Sequence, residues 1–311
     1  MPPGMRPTSE SKFYKAELKV QAIARRRANN QLMRVPWSEF RRVYEEYPRW
    51  QALVLWVQVI VATQDGIPSW VVADLRKRCP GFAEHQAVSN EPQLVALHLM
   101  EWVHNQAFGN AKRQGWLDAL VFYGIRHPYS ESAWAYWEHC EGKWRRRPSS
   151  TFPNFEKWVR LARNYSPPRQ MSLADFAGLV ERYVEWKVFS CWVEPLTIAK
   201  IELPKDILTE FERKCPGYLE MAKSDSIQHP NKKASTGSMR SLMKWVEDRF
   251  FSDERKEGRL DIIRRHACMH PLYARTLRYS EQWNNSWSQN PTDEYPSFIL
   301  WCRRAENYIE Q

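Results

Sequence analysis

Leu99-Met100-Glu101-Trp102-Val103 is written again as Leu242-Met243-Lys244-Trp245-Val246, 143 positions further along. The same offset carries Gly115, Leu117 and Asp118 onto Gly258, Leu260 and Asp261, and His127-Pro128 onto His270-Pro271. It also carries Trp158 onto Trp301 and Asn164-Tyr165 onto Asn307-Tyr308. Upstream an offset of 136 takes over, pairing Glu45 with Glu181, Trp56-Val57 with Trp192-Val193, and Cys79-Pro80-Gly81 with Cys215-Pro216-Gly217. The difference places an insertion in the polar run 223–238. The expected organisation is therefore a basic leader (1–34), a first lobe (35–165), a proline hinge at 166–170 containing Pro167-Pro168, and a second lobe (171–311), the two lobes being tandem copies of one unit.

A chain of 311 residues, 43% hydrophobic and 14% aromatic, can bury two real cores and is too apolar to stay disordered. No apolar run is long enough to span a bilayer. Met1-Pro2-Pro3-Gly4 lacks the apolar core of a secretory signal, and Glu10 and Glu17 do not suit a transit peptide, so a cytoplasmic location is expected, or a nuclear one in a eukaryote. The six cysteines form no CxxC pair and read as reduced thiols.

Apolar residues recur at spacings of three and four, and no stretch alternates with period two, so the expected fold is all-α. Helices are expected from Ser9 or Ser11 to about Met33, from Ser38 to Tyr47, and over Trp50 to Val61. Further helices follow from Pro68 to Arg78, from Pro92 past Val103, over Trp116 to Tyr123, from Pro128 to Trp144, and over Phe155 to Arg163. The second lobe should repeat this order.

A shorter phrase recurs six times, a large apolar residue three positions before Trp, as in Leu53-x-x-Trp56-Val57 and Phe298-x-x-Trp301-Cys302. That spacing puts both side chains on one helix face. Trp102-Val103-His104-Asn105-Gln106 followed by Gly115-Trp116-Leu117 resembles the W-V-x-x-Q-R…G-x-L pattern of the helicase-associated domain. Trp245-Val246-Glu247-Asp248-Arg249 followed by Gly258-Arg259-Leu260 is similar. The resemblance implies Trp-rich three-helix modules of a kind appended to nucleic-acid helicases and presumed to bind nucleic acid. No Walker lysine motif accompanies it, so motor activity is not implied.

Catalytic and metal chemistry find little support. In His266-x-Cys268-x-His270 ligands two apart on a helix point away from each other. His139-Cys140 are adjacent helical residues that cannot face one another, so packing is the expected role. Asp118 and Asp261, and Glu45 and Glu181, are kept in both lobes and read as helix caps or structural ion pairs. No cofactor motif is present and no enzyme is expected.

What remains is charge. A net +10 favours a polyanionic partner. The candidate contacts are Arg25, Arg26 and Arg27; Lys112 and Arg113; Lys143, Arg145, Arg146 and Arg147; Lys232 and Lys233; and Arg264 and Arg265. Trp116 and Trp144 are expected to stack on bases beside them. The expected function is non-catalytic nucleic-acid binding, to DNA or RNA, alone or within a nucleoprotein complex. The rival is a scaffold or adaptor binding protein subunits.

Overall fold

The computed structural model describes residues 9–63, 67–82, 92–146, 152–165, 171–198, 205–220, 234–289 and 295–309. The hinge prolines lie outside them. The fold is all-α, with no strand among the described residues. A leader helix α1 (Ser9–Leu32) precedes the first lobe, made of α2 (Trp37–Thr63), α3 (Ser69–Arg78), α4 (Pro92–Gln106), α5 (Gly109–Arg113), α6 (Leu117–Gly124), α7 (Pro128–Arg146) and α8 (Phe155–Arg163). The second lobe holds α9 (Leu173–Ile198), α10 (Lys205–Lys214), α11 (Ala234–Phe250), α12 (Ser252–Lys256), α13 (Leu260–Cys268), α14 (Pro271–Gln289) and α15 (Phe298–Glu306).

Matched positions make matched contacts. Trp56 donates its indole N–H to the Pro153 carbonyl at 3.0 Å, and Trp192 donates to Pro296 at 3.0 Å. Asn154 accepts the Lys157 N–H at the start of α8, as Ser297 accepts that of Leu300 at the start of α15. A short polar side chain there satisfies one of the amides a helix start leaves unbonded. Gly115 and Gly258 both take positive φ (77° and 72°) at the turn into the next helix, a conformation L side chains rarely adopt.

Trp56, Trp158, Trp192 and Trp301, four of the six phrase tryptophans, are completely buried. Each ring removes about 200 Å² from water, an upper estimate of roughly 5 kcal/mol of burial. In the second lobe they join a core with Phe189, Phe211 and Tyr183. A separate cluster joins α1 to both lobes: Ala28 and Leu32 pack with Phe40, Trp116 and Tyr123, and with Ala274 from α14.

Three expectations need correction. The two helices expected around Pro48 are one continuous α2, with buried Pro48 inside it. Proline removes one amide donor there, and the run of buried residues Ala52 to Val57 holds the helix together. Between the helix expected past Val103 and the one expected from Trp116, where no helix was expected, lies α5. The polar insertion is helical from Ala234 onward.

The end of α1 is fastened by polar contacts that no periodicity reveals. Gln31 accepts the Ala119 N–H and donates to Asp118, which also pairs with Arg27 at 2.7 Å. Arg275, completely buried on α14, donates to the carbonyls of Leu32 and Val35 at the end of α1, and to those of Glu306 and Tyr308 beyond α15. Burial pulls its guanidinium down to about 10, still charged at neutral pH. The carbonyl ends of two helices are the electrostatic environment that suits a buried cation.

Candidate functional site

The cations singled out by sequence differ in what they meet. Arg264 is engaged inside the molecule: it donates to Glu247 at 2.5 and 2.8 Å and to Asp261 at 2.8 Å. The Glu247 hydrogen bonds raise its already high pKa further. Arg27 is paired with Asp118, while Lys112 and Arg113 reach only the neutral amides of Asn105 and Asn110. Arg26, Lys143 and Arg265 are exposed. Arg145 and Arg146 end α7, and Arg147, Lys232 and Lys233 lie outside the described residues.

The two stacking tryptophans need correction. Trp116 is 2% exposed and packs against Phe40; Trp144 is 7% exposed and packs edge-on to Phe152. Their flat faces are taken up by the core, where an amphipathic helix start or end puts a large apolar ring, so neither can receive a base.

One group of cations does converge. Arg25 on α1 donates to the Cys268 carbonyl at the end of α13, at 3.0 Å. Arg126, between α6 and α7, donates to the Phe122 carbonyl at 2.6 Å and lies 3.9 Å from the centre of the Phe122 ring. Burial lowers the Arg126 pKa, and Arg25 adds to the lowering against the pull of Glu131 and Tyr123. Among the described residues neither Arg25 nor Arg126 has an ion-pair partner. Glu131, the carboxylate nearby, is turned to His266 of the other lobe at 3.0 Å. Arg265 precedes Cys268 by three residues, on the same helix face.

Glu45 and Glu181, read from sequence as helix caps or structural ion pairs, each face a histidine. His127 accepts the Tyr129 N–H on Nδ1 at 3.2 Å, and its Nε2 faces Glu45 at 3.6 Å. His270 does the same with Leu272 at 3.2 Å and Glu181 at 3.3 Å. An Nδ1 that accepts an amide hydrogen leaves the proton on Nε2, pointing at the carboxylate. Both nitrogens are occupied, so these histidines anchor helix starts and have no lone pair for base catalysis. The ring of Tyr44 lies between them, 4.8 Å from His127 and 6.1 Å from His270. The contact with His127 holds the Glu45 carboxyl below its ordinary range, against burial and the neighbouring Glu181. Burial would raise Glu181, but His270 and Arg41 bring it down.

Both carboxylates open onto a cleft of about 350 Å³ between the lobes. Trp37, Arg41 and Tyr44 of α2 form one side of it, Glu185 and Val188 of α9 another, and Thr276, Cys302 and Glu306 the rest. The first lobe has the matching cleft, reduced to about 10 Å³. There Arg49, Ala133 and Arg163 stand at the positions of Glu185, Thr276 and Glu306, and Arg163 covers the ring of Tyr129 at 5.4 Å. Burial pushes the Cys302 thiol up to about 12, so it is protonated at neutral pH and no nucleophile. Cys140, the other thiol considered from sequence, is buried and raised in the same way.

Among the described residues no group of three or more His, Cys, Asp or Glu is placed to hold a metal ion, and no helix is long and apolar enough to cross a membrane. No protein family, curated protein or solved structure matches the chain.

Proposed function

We propose that the chain is a non-catalytic nucleic-acid-binding protein whose contact surface is the junction of α1, the α6–α7 turn and α13. The observation carrying this reading is the convergence of Arg25 and Arg126, each satisfied by a backbone carbonyl and neither by a carboxylate. Two guanidiniums close enough to repel one another, neither in an ion pair among the described residues, keep donors available for phosphate, and Arg26 on α1 and Arg265 on α13 are exposed. The net charge of +10 and the resemblance of the Trp102 and Trp245 segments to the helicase-associated domain point the same way. We read the lobes as tandem copies of one unit, supported by the shared Trp–Pro carbonyl bonds and His–Glu contacts. An adaptor role within a protein complex is the second reading. Val20 and Ile23, three apart on one face of α1 and both exposed, favour it.

The test is fluorescence anisotropy of labelled 20-nucleotide single-stranded DNA, RNA and duplex DNA with the full chain at low and physiological salt. Phosphate binding weakens steeply with salt, and Arg26→Glu with Arg265→Glu should lower the logarithmic salt slope by about two. Absence of binding to all three at low salt would end the proposal.

A further inference from the structure

The second-lobe cleft differs from its first-lobe counterpart in charge as well as in size, and it does so on a protein that is basic overall. Arg49 and Arg163 give way to Glu185 and Glu306, and the space opens from about 10 to about 350 Å³. Four carboxylates border it, Glu45, Glu181, Glu185 and Glu306, against two cations, Arg41 and Lys214. Lys214 does not cancel the acids by direct contact. Its Nζ sits over aromatic faces, 4.4 Å from the centre of the Phe298 ring and 5.0 Å from that of Phe189. Arg78 stands at the matching place over Phe155 in the first lobe, at 4.7 Å, so the cation–ring contact belongs to the shared architecture. Glu45 and Glu181 are engaged by His127 and His270, whereas Glu185 and Glu306 have no ion-pair partner among the described residues.

A second observation points to a ligand. Thr276 lines the cleft, is completely buried, and its hydroxyl has no hydrogen-bond partner among the described residues. A buried hydroxyl left unbonded is destabilising, and the first lobe avoids that cost with Ala133 at the matching position. The unpaired hydroxyl thus belongs to a residue of the cleft wall, on the lobe where the cleft is open.

We propose that this cleft binds the ammonium or guanidinium head of an organic cation. Glu185 and Glu306 supply the counter-charge, the Thr276 hydroxyl accepts a hydrogen bond from the head, and Trp37 and Tyr44 wall the site with apolar surface for the attached chain. The head can belong to a free polyamine or to a basic side chain of another protein. The proposal does not depend on the nucleic-acid reading, since the cleft would repel phosphate.

Titration calorimetry on the full chain tests it, with Nα-acetyl-arginine methylamide and spermidine as the two cations and Nα-acetyl-citrulline methylamide as the neutral control. One cation or both should bind with a stoichiometry of one, and the citrulline derivative at least about tenfold more weakly. Tighter binding of the arginine derivative assigns the cleft to a protein side chain, and tighter binding of spermidine assigns it to a free amine. The variant Glu185→Arg with Glu306→Arg restores the residues the first lobe folds around, and it should bind neither cation. Thr276→Val, which keeps charge and shape, should weaken binding about tenfold and serves if the double variant fails to fold. Failure of both cations to bind the unaltered chain at millimolar concentration, or unchanged binding in the folded variants, would overturn the proposal.

Discussion

Trp192 donates its indole N–H to the carbonyl oxygen of Pro296 at 3.0 Å, while Trp301, equally buried in the same core, has no partner for its own N–H among the described residues. The pair separates packing from hydrogen bonding. Trp192→Phe loses ring volume and strands a buried carbonyl; Trp301→Phe loses the same volume and removes an unsatisfied donor. Trp192→Phe should therefore cost about 1–2 kcal/mol more in urea unfolding. Equal costs would mean the indole–carbonyl bond contributes nothing net.

Arg275 ties α1 to the second lobe through four backbone carbonyls. Arg275→Met keeps the side chain long and unbranched but removes the guanidinium donors, leaving the Leu32 carbonyl only the Val35 N–H at 3.3 Å, and should cost roughly 3 kcal/mol or more. Hydrogen exchange should speed up first at residues 28–35, where α1 ends. Uniform exchange changes across both lobes would count against a local fastening role.

Two acid transitions follow from the buried titrating groups. Burial, with Lys112 adding to it, lowers the His104 pKa, and among the described residues no partner meets its Nε2. The unfolded chain thus takes up the proton first, so stability is full above about pH 6.5 and declines as pH falls below it. Glu247, at the matching position of the second lobe, would be raised by burial, but hydrogen bonds from Arg264 and Tyr183 hold it low. Glu45 and Glu181 are held low as well. Their contribution is full above about pH 4.3 and is lost as pH falls through their folded values. His104→Gln should flatten the upper decline in thermal melts and leave the lower one in place.

Much of this architecture was legible because repetition within one chain acts as an internal comparison. The bounds of α8 fell where the Phe155-x-x-Trp158 phrase placed them, and α3 where Pro68 and Cys79-Pro80-Gly81 did. Periodicity reports which face of a helix is apolar. It does not report what that face meets, which is why Trp116 read as a base-stacking ring and Pro48 as a break. The His127–Glu45 and His270–Glu181 contacts were recoverable in principle, since all four residues are retained between lobes. The cleft was not visible until folding brought the start of α2 against α9, because its charge reversal at Arg49/Glu185 and Arg163/Glu306 looks like ordinary surface drift in a linear chain.

Two basic surfaces can be ranked by substitution. If the α1–α13 junction is the main phosphate contact, Arg26→Glu with Arg265→Glu should reduce oligonucleotide affinity about tenfold or more at low salt. Reversing Arg145, Arg146 and Arg147 to Glu should then do less. Arg264→Gln gives the contrasting result: it breaks the bonds to Glu247 and should lower thermal stability, with the folded fraction binding as before. Larger losses from the triple reversal would move the interface to the end of α7.

Gly124 closes α6 where α2 passes, and a Cβ built there would stand 2.3 Å from Cδ1 of Tyr47, far inside any contact a real side chain makes. Tyr47 is completely buried beside Phe108, so its ring cannot swing away without displacing the core. Ala267 stands 143 positions further along, so the requirement belongs to this pair of helices. Gly124→Ala should therefore destabilise the chain by about 1–3 kcal/mol although alanine favours a helix. Ala267→Gly should cost only the roughly 1 kcal/mol of lost helix propensity. If thermal melts showed Gly124→Ala to be neutral or stabilising, the close approach of α6 to α2 would have to be given up.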